Sequence, residues 1–99
     1  MKIIIENPKT SVANYFRRAG YHFQKNEGDE MAFIRQLTDQ PFPRFHLFCK
    51  IVEYKFQINI HIDHKRASYE GTSMHGGEYG DDSEMLQGEV DRLKKIAGG

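Results

Sequence analysis

Between residues 44 and 63, apolar and polar positions alternate almost without interruption. Phe45, Leu47, Cys49 and Ile51 are separated from one another by single residues, and so are Phe56, Ile58, Ile60 and Ile62. Side chains alternate across a strand, so this period of two predicts two strands, 44–51 and 56–63, that place all eight residues on one face. With Glu53-Tyr54 as a two-residue turn, Phe45 faces Ile62, Leu47 faces Ile60 and Cys49 faces Ile58. A slip of one residue would turn a whole apolar set outward and is excluded; a slip of two keeps the faces and stays open.

The other face follows from the same parity. It carries Arg44, His46, Phe48 and Lys50 beside Gln57, Asn59, His61 and Asp63. In this register Arg44 lies across from Asp63, and His46 lies across from His61. Directly opposed Cβ atoms sit about 4.5–5.5 Å apart, close enough for two imidazoles to share a metal or a phosphate.

The remaining pattern supplies five further elements. Residues 2–6 (KIIIE) predict a short strand, and three successive isoleucines suit burial on both faces. Asn7-Pro8 ends it. Thr10 or Ser11 can cap a helix whose stripe is Val12, Tyr15, Phe16 and Ala19, with Gly20 as terminator. Residues 21–25 and 30–37 predict two strands around a turn at 26–29, with Met31 and Phe33 on the less apolar face. Two prolines make 38–43 a loop, and 65–81 is a long Gly- and Ser-rich loop. Asp82 or Ser83 then caps a last helix with Leu86, Val90, Leu93 and Ala97 on one side, and Lys94 and Lys95 suit its C-terminal dipole.

The expected fold class is therefore α+β: an antiparallel sheet in the order β-α-β-β-β-β-α, with two helices packed on one face. The α-β-β-β-α portion resembles the double-stranded-RNA-binding fold in outline, through no sequence motif. A chain of 99 residues has room for a single domain, 1–99.

Composition narrows the functional classes. Fourteen basic and fourteen acidic residues cancel, which removes any global pull toward nucleic acid or an anionic membrane. The balance is uneven along the chain: 1–25 and 44–66 are net basic, and the stretch from Ala67 onward is net acidic. Cys49 is the one cysteine, so neither an intrachain disulfide nor a multi-cysteine zinc motif is available. Nothing in MKIII reads as a signal peptide, and no apolar run approaches the ~20 residues that span a bilayer. A cytoplasmic location without membrane contact is expected.

The candidate chemistry sits on the polar face. His46, His61 and His75, with Asp63, form a sufficient ligand set for zinc or another divalent transition metal, because neutral imidazole and carboxylate both bind such ions. An open position on that metal would activate water for hydrolysis. Arg44 and Lys65 are the candidate anion holders. The loop adds Glu70 and Glu78 near His75, between glycines that let backbone approach a ligand. The spacing matches no standard zinc signature, and polar residues on a solvated sheet face are ordinary.

Two other readings compete. A metal-free module binding nucleic acid or another phosphate-bearing ligand, in its narrower form a ribonuclease using histidine as acid and base, would draw on Arg44, Lys65 and stacking by Phe33 and Phe48. A homodimerising or adaptor domain would use Met31, Phe33 and Phe48 as an apolar patch. Cys49, central on the apolar face, reads as inert packing.

Overall fold

The computed structural model describes residues 1–64 and 78–98, with backbone only for 78–81. The elements are β1 (Lys2–Glu6), α1 (Val12–Arg18), β2 (His22–Glu27), β3 (Glu30–Gln36), β4 (Arg44–Val52), β5 (Lys55–Asp63) and α2 (Glu78–Gly98).

The alternating segment closes into the hairpin β4–β5, paired with Phe45 opposite Ile62, Leu47 opposite Ile60 and Cys49 opposite Ile58. Its turn fixes this register. Glu53 and Tyr54 both have positive φ, 52° and 68°, the signature of a type I′ turn whose twist matches that of the strands. A two-residue slip would require a different loop.

Around this hairpin the sheet has five antiparallel strands in the order β1-β5-β4-β3-β2, and both helices cover one face, an α+β architecture. The core forms between them. Leu47, Cys49 and Ile60 from the central strands are fully buried against Phe16 of α1 and Leu93 of α2. Ser11 caps α1 by accepting the Asn14 N–H at 3.1 Å, and Gly20 follows the helix with φ of 90°. None of the described helices is long and apolar enough to cross a membrane.

Four details differ from the sequence reading. First, β1 is an edge strand with one buried face: Ile3 and Ile5 are buried, but Ile4 is exposed because no helix covers the opposite side. Second, Met31 and Phe33 face the core, where Phe33 packs 4.6 Å from the Phe16 ring. Arg35 shares their parity, which makes that set look polar. Third, the β2–β3 turn is only Gly28-Asp29, with Gly28 at φ of 63°. Fourth, α2 starts at Glu78, upstream of Asp82. Acidic residues in this first stretch suit a helix N-terminus, and the Asp82 carboxylate is engaged by His64 Nε2 at 3.1 Å.

Arg35 reaches the core side because Glu89 waits there. This carboxylate is 4% exposed and accepts from Tyr21 Oη at 2.6 Å, Arg35 Nη2 at 2.9 Å and Arg92 Nε at 2.9 Å. Arg92 also donates to the Ala19 carbonyl at 2.6 Å, and Tyr15 Oη donates to the Leu93 carbonyl at 2.7 Å. The cluster ties α2 to α1 and β3. Burial alone would raise the Glu89 pKa, but hydrogen bonds from Arg92, Arg35 and Tyr21 outweigh it and hold the carboxyl below the usual range.

Two outcomes follow from this packing. Tyr54→Gly relieves a left-handed side chain, offset by glycine's extra unfolded-state freedom. It should stabilise by about 0.5–1 kcal/mol, read as a higher urea midpoint at unchanged slope. Glu89→Gln should destabilise by about 3 kcal/mol at neutral pH, because it strands two partly buried guanidinium groups. The wild-type contribution is complete above the unfolded carboxyl pKa of about 4.3 and fades as pH falls through the lower folded value. Urea titrations of both proteins from neutral to acid pH should therefore converge at the acid end.

Candidate metal centre

Parity and register bring four polar side chains to one end of the central hairpin. Arg44 and His46 come from β4, and His61 and Asp63 from β5, with Arg44 paired to Asp63 and His46 paired to His61. Asp63 is the hub. Its Oδ2 lies 3.1 Å from His46 Nδ1, its Oδ1 lies 3.1 Å from His61 Nε2, and Arg44 Nε donates to Oδ2 at 3.4 Å. The two imidazole rings are 5.0 Å apart. One donor atom from each of His46, His61 and Asp63 falls within 4.8 Å of the others.

The site is graded from wet to dry. The His61 side chain is 45% exposed, Asp63 26% and His46 14%. Phe48 lies on the same face with its ring 4.9 Å from His46 and closes the drier side. Arg44 rests its guanidinium 4.4 Å above the Phe42 ring.

His46 Nε2 is buried and has no hydrogen-bond partner among the described residues. A proton on that nitrogen would have no acceptor there, so the neutral Nδ1–H tautomer donating to Asp63 leaves only a lone pair unmatched, the cheaper state. Electrostatics agrees. Burial pushes the His46 imidazole below the ordinary histidine value; the Asp63 carboxylate pulls it back up, and His61 and Arg44 push it down again. His46 is thus held neutral, and ligation of a metal through Nδ1 would move its proton to the unpartnered Nε2, a cost that the metal bond must offset.

Of the residues nominated from sequence, His46, His61, Asp63 and Arg44 meet here. Lys65 and His75, with Glu70, lie outside the described residues, and the side chain of Glu78 does as well. Phe33 is buried on the opposite face and is not available for stacking, and Met31 packs against the core. Neither can form the apolar patch of a dimer on the polar side. His64 lies past the end of β5 and binds Asp82. Cys49 is fully buried, and burial pushes its thiol up to about 12, which leaves it inert.

Sequence reasoning missed one contributor. Phe42 was hidden in a proline loop, although two-residue spacing puts it on the same side as Arg44 in an extended chain. Asp63 was nominated as a ligand, but its place as the hub was not legible, because side-chain rotamers decide which carboxylate oxygen meets which ring.

No protein-family model, curated protein or solved structure matches the chain. The site therefore rests on its own geometry.

The His46 ring should titrate below 6.5 in a histidine NMR titration. Asp63→Asn should lower it further, and Arg44→Gln should raise it. Between the depressed folded value and the unfolded value the unfolded chain binds the extra proton, so stability falls as pH drops through that window. His46→Gln should flatten that part of the pH–stability curve.

Proposed function

We propose that this domain binds a divalent transition metal, zinc foremost, through His46 Nδ1, His61 Nε2 and an Asp63 oxygen. The observation that carries this reading is the convergence of those three donors within 4.8 Å on one sheet face. Zinc bonds of about 2.0–2.1 Å place tetrahedral donors about 3.3 Å apart. Each histidine is already near that spacing from Asp63, at 3.1 Å, though His46 meets Oδ2 and His61 meets Oδ1, so the carboxylate must turn to present one oxygen to both. Closure then needs the two imidazoles to approach, for which His61 is exposed enough to move, and the His46 proton to pass from Nδ1 to the unpartnered Nε2, which lowers the affinity.

The donor set also suggests what the ion would do. Two histidines and one carboxylate leave a coordination position open, the composition of catalytic sites more than of closed structural ones. A metal there would lower the pKa of a bound water and serve hydrolysis. Arg44 stands beside Asp63 as a holder for an anionic group, such as a phosphate or carboxylate. Its charge also opposes the incoming ion, which tunes the site toward modest affinity. Among the described residues the sheet face is open, so a substrate would approach from the side not covered by helices.

Protein purified without chelator and then dialysed against zinc should retain one ion per chain by elemental analysis. His46→Ala, His61→Ala and Asp63→Asn should each weaken binding by at least about 10–100-fold in a competition titration. Arg44→Gln should strengthen it by roughly three- to ten-fold, since removing one nearby cation favours another. Failure to retain zinc, cobalt or nickel in stoichiometric amount, or equal retention by the three ligand variants, would overturn the reading.

A further inference from the structure

The two edges of the sheet are not alike. Edge strand β2 carries a register shift between Phe23 and Lys25, and every residue along it is exposed. A bulge and a central lysine are ordinary means of blocking strand addition. Edge strand β1 has neither: its register against β5 runs unbroken from Lys2 to Glu6. It has no proline, and its centre is Ile4, which is 51% exposed.

The hydrogen-bond parity of β1 shows which backbone groups face outward. Met1 and Ile60 exchange both backbone bonds, at 2.8 Å each. In an antiparallel ladder such pairs alternate with unbonded ones, so Ile3 and Ile5 also bond to β5. The N–H and C=O groups of Lys2, Ile4 and Glu6 therefore point away from the sheet. Their side chains lie on the open face, opposite the helices, and neither Lys2 nor Glu6 forms an ion pair among the described residues.

We propose that two copies of the chain pair antiparallel through β1, about a two-fold axis perpendicular to the sheet beside Ile4. Ile4 then faces Ile4 of the second copy, and Lys2 faces Glu6 in both directions. Each of these is a bonded pair in which both outward backbone groups are satisfied. The register is selected, not assumed. A shift of one residue would set inward-bonded groups opposite outward ones and apolar side chains on the wrong face. A shift of two keeps parity, but it places each lysine or each glutamate beside Ile4 and shortens the overlap. Only the chosen register uses all five residues and opposes every charge with its complement. The product is a continuous ten-stranded sheet with helices on one side and both polar faces on the other. A surface this narrow gives a reversible dimer, not an obligate one.

The test uses three proteins with exposed substitutions, Lys2→Glu, Glu6→Lys and the double exchange, beside the wild type. All are measured with chelator present, so that no metal can bridge chains. Sedimentation equilibrium across a concentration series should give the wild type twice the chain mass at the upper end. Each single variant should raise the dissociation constant by roughly ten-fold or more, because like charges then oppose one another twice. The double exchange should restore it, and an equimolar mixture of the two single variants should form a heterodimer. A wild type that stays monomeric throughout would overturn the proposal. So would a dimer that the single variants leave unchanged, which would place the contact elsewhere.

Discussion

Everything specific in this domain depends on the pairing of β4 with β5 at the middle of the sheet. The hairpin has one face that must be dry and one that need not be. Phe45, Leu47, Cys49, Phe56, Ile58, Ile60 and Ile62 all turn toward the helices and are buried. Burying one large apolar side chain contributes roughly 1.5–3 kcal/mol, so the combined preference for this parity far exceeds any local preference of the polar residues. Arg44, His46, His61 and Asp63 meet as a geometric consequence. Their proximity costs the fold little to specify, because the opposite face has already specified it.

The cluster then makes its own demands. One carboxylate serves two imidazoles and a guanidinium, and each of these limits the others. Partial burial keeps His46 neutral, while the greater exposure of His61 leaves that ring free to adjust. The cluster is thus hydrogen-bonded by itself, with the unpartnered His46 Nε2 as its one unmatched buried atom among the described residues. The same economy governs the far side of the sheet, where Glu89 gathers Tyr21, Arg35 and Arg92 and so docks α2. The two carboxylates differ in duty by their surroundings. Glu89 is sealed by helices and is structural, whereas Asp63 is partly exposed among the described residues.

The pairing of the strands was legible in the sequence because a period of two, sustained over twenty positions, admits one parity. The cap at Ser11, the glycine after α1 and the exact pairs of the hairpin followed from local chemistry of the same kind. Those pairs were enough to nominate His46, His61, Asp63 and Arg44 as neighbours. Where the pattern was mixed, as at 30–36, the sequence misled: Arg35 made the inward set of β3 look outward, and only its distant partner Glu89 explains its position.

What the sequence by itself determined, then, was local and periodic: the strands, the first helix, the face of each hairpin residue and the class of the fold. Tertiary structure decided what depends on residues far apart in the chain. It made β1 an edge with Ile4 exposed, sent Met31 and Phe33 into the core, and assigned each Asp63 oxygen to a different imidazole. The physical reason is that backbone periodicity constrains which way a side chain points, whereas burial and pairing depend on what the rest of the chain brings to meet it.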